Sequence, residues 1–288
     1  MANRILIRHQ THYQYERPVY LTTHYFRLKP VAHCRMPVAI YSLAVRPANH
    51  RLHWQQDPFG NFLARVDFTG PTTELAVDVK IVGDLAPVNP FDFFLEEYAG
   101  SFPFAYEASL KKDLGPYLEI VDKGPLLEQW LQETDRPVQG IIDFLLLINT
   151  RVHRAVSYTV RLEEGVQNCE ETLEKGSGSC RDSAWLLVQV LRHLGLAARF
   201  VSGYLVQLAG AGEEPGSVQS DSAALHAWAE VFLPGGGWIG LDPTSGLLAG
   251  EGHLPLACTP TPEGAAPITG TSEQCRTSFT FEHTVLRL

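Results

Sequence analysis

The chain has 288 residues, 45% of them hydrophobic and 19% charged, and a formal net charge of −9 at pH 7. That length and apolar content can bury a full core, and they suit one large or two ordinary globular domains rather than a disordered chain. The acidic balance offers no basic footprint, which sets nucleic acid aside as a partner.

The start, MANRILIRHQ, has no apolar leader segment. No run reaches the ~18 apolar residues of a membrane span. The apolar stretch Ile141 to Ile148 is interrupted by Asp143. A cytoplasmic protein with no membrane contact is therefore expected. The five cysteines, Cys34, Cys169, Cys180, Cys258 and Cys275, are odd in number and irregularly spaced. They are expected to be reduced thiols, and they form no zinc-ligand pattern. No metal and no cofactor is expected.

Residues 1–90 read as β-structure. RILIRHQTHYQYE, AIYSLAVRP, NFLARVDF and TELAVDVKIVG alternate in polarity, with a turn signal at Asp57-Pro58-Phe59-Gly60-Asn61. Short strands at this spacing predict an antiparallel β-sandwich. Residues 91–135 are rich in aromatics and prolines and predict a connector with short helices. A core region, 136–250, follows. It opens with a helix over Val138–Val156, whose IIDFLLLI is apolar all round and predicts burial. A second helix over Ser179–His193 should bury Ala184, Leu187, Val188, Leu191 and Leu194, with Gly195 ending it. AARFVSGYLVQL is a long strand or a strand pair. After a Gly/Ser/acidic loop at 209–222, HAWAEVFL and WIGLDPT predict a hairpin around Pro234–Gly237. Residues 251–288 are expected to be a Pro-rich tail of little structure up to 272, with SFTFEHTVLRL as a possible final strand. The oligomeric state is not legible.

One cysteine stands apart. In Gly176-Ser177-Gly178-Ser179-Cys180-Arg181-Asp182, Ser179 and Asp182 match a capping box before an apolar run, which places Cys180 in the first helical turn. Free backbone N–H groups and the positive end of the helix dipole surround that position. Such surroundings favour a thiolate and can also receive an oxyanion. Arg181 should help the thiolate, and Asp182 should oppose it unless it turns back to cap the helix.

A nucleophilic cysteine needs a base, and the base needs an orienting group. His226 opens one hairpin strand and Asp242 closes the other. If Phe232 faces Trp238, Asp242 is a diagonal neighbour of His226. If Val231 faces Gly237, the two stand directly opposite. Both registers put them on one face, whereas a one-residue slip would separate them.

Together, GSGSCRDSAWLLVQVLRHLGLAARFVSGYL and LHAWAEVFLPGGGWIGLDPTSG resemble the core of the bacterial transglutaminase-like family, described as candidate cysteine proteases. The pattern falls on Gly178, Cys180, Asp182, His226, Ala227, Trp228, Asp242, Pro243 and Thr244. The first ninety residues resemble the β-rich region that accompanies this core in bacterial members. The resemblance implies an α+β chain: an N-terminal antiparallel sandwich, then a papain-like core whose cysteine helix packs on an antiparallel sheet. It also implies a Cys180–His226–Asp242 triad acting on an amide bond of a peptide or protein through a thioester. Hydrolysis is favoured. Transfer of a glutamine acyl group to an amine, acyl transfer from a thioester donor, and a non-catalytic peptide-binding scaffold are the alternatives. Related cores take a further oxyanion donor from a Gln, Trp or Tyr upstream of the cysteine, and Tyr158 and Gln167 lie in suitable positions. Trp185 and Trp228 are expected to line or support the cleft. Glu213, Glu214 and Asp221 are too sparse for the calcium loop of the crosslinking enzymes.

Overall fold

The computed structural model describes residues 3–134, 138–210 and 220–288. Two four-stranded antiparallel sheets build the N-terminal sandwich. In the first, Thr277–Arg287, Asn3–Val19, Thr72–Leu85 and Val38–Arg46 lie in that order. In the second, the order is Ile268–Thr269, His24–Phe26, Phe62–Phe68 and His50–Gln56. Strand geometry sends alternate side chains to opposite faces. Leu75, Val77, Val79 and Ile81 accordingly point inward beside Ile5 and Ile7, and share a core with Phe26, Leu28, Ala64 and Val66.

The core region is a five-stranded antiparallel sheet in the order Leu247–Leu248, Gly237–Asp242, Ser222–Leu233, Ala198–Gln207 and His253–Thr259. AARFVSGYLVQL is thus one long strand. The helix Cys180–His193 packs across the sheet, setting Ala184, Leu187, Val188 and Leu191 in one cluster with Phe200, Ala227, Ala229 and Val231. The helix Ile141–Ala155 adds Phe144, Leu145, Ile148 and Val152. The cysteine helix is buried far beyond the single apolar face read from its sequence: every residue from Asp182 to Arg192 is covered. Its other sides meet the helices Pro125–Gln132, Ile141–Ala155 and Cys169–Lys175. Even Arg192 is buried, and its guanidinium donates to the carbonyls of Glu119, Ala198 and Pro260. Gly195, at φ +81°, ends the helix in the left-handed conformation that favours glycine.

The opposite side of the sheet joins the sandwich. Tyr204, Val206, Ala223, Leu254 and Leu256 belong to the same buried cluster as the sandwich strands, and the Tyr204 hydroxyl lies 2.7 Å from His9 Nδ1. The sandwich is therefore packed against the core sheet through a continuous apolar interior.

The segment expected to be an unstructured tail is corrected by the structure. His253–Thr259 is an edge strand of the core sheet, Pro262–Ala265 is a helical turn, and Ile268–Thr269 closes an edge of the second sandwich sheet, while the strand expected in SFTFEHTVLRL is Thr277–Arg287, at an edge of the first. HLPLACT is buried from Leu254 onward on both faces, so it lacks the polar alternation that marks a half-exposed strand. Pro255 fits because an edge strand can spare one ladder donor. Among the described residues, no helix is long and apolar enough to cross a membrane.

Candidate active site

Ser179 is the N-cap residue of the cysteine helix and Cys180 is its first residue. Asp182, fully buried, turns back and accepts the Ser179 N–H at 2.7 Å and the Ser179 hydroxyl at 2.8 Å. Arg161 Nε at 2.9 Å and the Gln167 N–H at 2.8 Å add to these donors. Burial favours the neutral acid, but the donors outweigh it, and the Asp182 pKa lies below the usual carboxylate range. Gly178 makes the turn possible, because a Cβ there would stand 2.8 Å from the Cβ of Asp182. Arg181 does not serve as a neighbour for the thiol. Its guanidinium donates to the carbonyls of Arg161 and Glu163.

The hairpin adopts the register in which Phe232 faces Trp238, so Asp242 is the diagonal neighbour of His226. His226 Nε2 lies 3.0 Å from Asp242 Oδ2. Cys180 acts on the same imidazole and, after Asp242, helps to raise its basicity. With Nε2 on the carboxylate, Nδ1 is the ring nitrogen that the Asp242 bond leaves available. Burial disfavours a charged ring, but Asp242 and Cys180 together prevail, and the His226 pKa is raised to about 9. The ring therefore favours imidazolium at neutral pH.

Asp242 is 1% exposed. Its Oδ2 accepts from His226 and lies 3.1 Å from His253 Nε2, while its Oδ1 accepts the Thr244 N–H at 2.9 Å and the Thr244 hydroxyl at 2.7 Å. Burial alone would raise its pKa. The bonds from His226, His253 and Thr244 reverse that and hold it well below the usual carboxylate range. The Asp-Pro-Thr turn is clamped from behind by the helix Ile141–Ala155. Asn149 Nδ2 donates to the carbonyls of Asp242 at 3.3 Å and Leu247 at 3.0 Å, and His153 Nδ1 lies 3.1 Å from the Pro243 carbonyl.

Of the two upstream oxyanion candidates, Tyr158 stands by the cysteine. Its short strand pairs in parallel with Ser177–Gly178, Tyr158 facing Gly178, and its hydroxyl pKa is raised by burial and then by the Cys180 charge. Gln167 is drawn into support instead: its N–H holds Asp182 and its side-chain carbonyl accepts from Thr172. Trp185 is buried and donates to Asp122 at 3.2 Å, so it ties the cysteine helix to the connector. Trp228 lies under the site, nearly parallel to the His226 ring at 6.3 Å and edge-on to the His253 ring at 5.1 Å. Glu213 and Glu214 lie outside the described residues. Asp221 pairs with Arg287 at 2.6 Å.

Among the described residues, two trios bring three metal-ligand atoms within 4.8 Å of one another: His226, Asp242 and His253, and His33, Glu230 and Cys258. In the first, both imidazole Nε2 atoms lie within hydrogen-bond distance of one carboxylate oxygen. In the second, Arg199 already occupies the centre, 2.6 Å from Glu230 and 3.3 Å from His33 Nε2.

Sequence reasoning missed His253, Asn149 and Arg161. Asn149 had a signal, a lone amide inside an otherwise apolar helix face. His253 had a weaker one, as the first residue of HLPLACT after the Gly250–Gly252 turn.

Residues 128–243 match the family described as the transglutaminase-like superfamily, and residues 5–83 match the bacterial transglutaminase-like N-terminal region. Residues 128–243 are thus a transglutaminase-like core, preceded by the N-terminal region of its bacterial form. The chain is 26% identical to the uncharacterized protein Rv2569c of Mycobacterium tuberculosis over 266 residues, which cover 88% of this chain and 82% of that one. It is 24% identical to the uncharacterized protein ML0607 of Mycobacterium leprae over 269 residues, covering 93% and 92%. A crystal structure described as "a Putative Cysteine Protease from Cytophaga hutchinsonii" shares the fold, with a TM-score of 0.70 and 19% identity over 100% of this chain and 91% of that one.

Proposed function

We propose that this transglutaminase-like chain is a cysteine hydrolase that cleaves an amide bond in a peptide or protein, with Cys180 as nucleophile, His226 as general base and acid, and Asp242 as the group that orients the imidazole. One observation carries the reading. The His226 ring is bonded through Nε2 to a buried carboxylate at 3.0 Å, and its basicity is raised by that carboxylate and by the helix-start Cys180.

The steps follow from that arrangement. His226 Nδ1 takes the proton of Cys180, and the raised basicity of the ring favours the ion pair. The thiolate attacks the carbonyl carbon and forms a C–S bond. The oxyanion is received by the Cys180 N–H, one of the donors a helix leaves without an intrahelical acceptor, and by the Tyr158 hydroxyl. Collapse breaks the C–N bond, and the imidazolium gives its proton to the departing amine. His226 then takes a proton from water as the oxygen attacks the thioester, releasing a carboxylic acid and restoring the thiolate.

The test is a covalent adduct on Cys180, sought by mass spectrometry after incubation with peptide libraries and with an activated ester. Adducts that persist when Cys180 is replaced by Ala would refute the assignment. A primary amine incorporated into product, in place of release of free acid, would change the reaction to transfer.

A further inference from the structure

Asp242 Oδ2 is shared by two imidazoles, and only one of them belongs to the proposed mechanism. The other is His253, at the start of the last strand of the core sheet. Its tautomer is set by a second contact. The Gly250 N–H donates to His253 Nδ1 at 3.2 Å, closing a turn in which the His253 N–H returns to the Gly250 carbonyl at 3.1 Å. A ring nitrogen that accepts a proton-bearing partner carries no hydrogen itself. The hydrogen of the neutral ring is therefore on Nε2, aimed at Asp242. The ring is held in place by the edge-on contact with Trp228, whose own ring runs beneath His226.

We propose that His253 is a positioning residue: a neutral imidazole that donates its Nε2 proton to Asp242 and shares with His226 the single carboxylate oxygen that orients the base. The inference rests on the reading of Cys180, His226 and Asp242 given above and adds a fourth member to it. Two consequences follow. His253 fixes the direction of Oδ2, while Thr244 fixes Oδ1. It also draws on the carboxylate charge that would otherwise be spent wholly on His226. A neutral donor on the shared oxygen makes Asp242 a weaker acceptor, so the His226 imidazolium gives up its proton more readily to a leaving amine than it would beside an undivided carboxylate.

Among the described residues, three titratable groups face this cluster. Cys180 comes from the cysteine helix, Tyr158 from the short strand beside it, and His153 from the helix behind the Asp-Pro-Thr turn. Arg161 and Asp182 neutralise one another behind the cysteine.

The test uses the full chain and iodoacetate, an anionic alkylating agent whose attack by Cys180 is assisted by the positive charge of the neighbouring imidazolium. The rate therefore falls on the alkaline side as His226 loses its proton. His253→Leu should keep the bulk, remove the donor and move that alkaline fall upward by about one pH unit, the size expected for one hydrogen bond to a charged group. His253→Gln places an N–H where the imidazole Nε2–H stood and should keep the wild-type profile. Loss of packing alone would lower the melting temperature and would not move the limb upward. A Leu profile that coincides with wild type or shifts downward, or a Gln profile that follows Leu, overturns the inference. A wild-type Cys180 that alkylates like an ordinary thiol sinks the underlying site reading, and this inference with it. Should the Leu variant not fold, nitrogen-15 spectra of the wild-type histidines at neutral pH decide: hydrogen on Nε2 of His253 supports the proposal, and hydrogen on Nδ1 overturns it.

Discussion

Replacing Asp242 by Asn probes the site most directly, because it removes one charge and almost no volume. The amide can keep a carbonyl toward the Thr244 N–H and hydroxyl, which hold Oδ1 at 2.9 and 2.7 Å. Its NH2 then faces the Nε2–H groups of His226 and His253 at the present distances of 3.0 and 3.1 Å, donor against donor. His226 can escape only by moving its hydrogen to Nδ1, which turns an N–H toward the Cys180 thiol and removes the lone pair that should take its proton. The charge effect acts in the same direction. The His226 pKa is raised from 6.5 to about 9 against the burial of the ring, with Asp242 the foremost stabilising cause and Cys180 the next. Losing that support is worth about 3 kcal/mol, or roughly two orders of magnitude in the thiolate–imidazolium equilibrium. The assay is the rate of Cys180 carboxamidomethylation by iodoacetamide between pH 5 and 10, followed by mass spectrometry, with circular dichroism to confirm the fold. Asp242→Asn should slow the reaction at pH 6.5 by about 100-fold. A folded variant with the wild-type profile would refute the argument that the carboxylate sets the charge state of the base.

Tyr158→Phe should lower the rate of acylation by a p-nitrophenyl ester by about 100- to 1000-fold, the range for one oxyanion donor, while leaving iodoacetamide alkylation of Cys180 unchanged. Asp182→Ala, which takes the buried carboxylate from the half-buried Arg161 guanidinium and from the donors at the helix start, should cost about 3 kcal/mol in urea unfolding. The raised His226 pKa contributes stability that is complete below 6.5 and is lost as pH rises through about 9; the urea midpoint should fall over that window by an amount equivalent to ~3 kcal/mol at most, and Asp242→Asn should lack the decline. At pH 7.5, iodoacetamide should label Cys180 and spare Cys169 and Cys258, whose thiols are buried and whose pKa values are pushed up by that burial; peptide mapping of the labelled chain checks it.

Much of this protein was legible in one dimension because the relevant physics is local. Alternating polarity specified the sandwich strands, since each strand keeps one face in the core. The Gly-Ser-Cys-Arg-Asp order specified a capped helix start, since a helix terminus leaves donors that only nearby groups can reach. The His226–Asp242 spacing allowed two registers, and either one put the pair on a common face.

Tertiary structure decided what depends on segments far apart in sequence. It chose between the registers, buried the cysteine helix on all sides, turned Arg181 to carbonyls of the 161–163 loop, and assigned Gln167 to support of Asp182. It also brought the supposed tail back as a strand that delivers His253 to Asp242. A residue in a fully buried edge strand has no polarity pattern to announce it, and a hydrogen bond across eleven positions depends on a turn and a sheet order that no local propensity encodes. The reacting groups could thus be named from short-range chemistry, whereas their supporting partners depended on how the sheet closed.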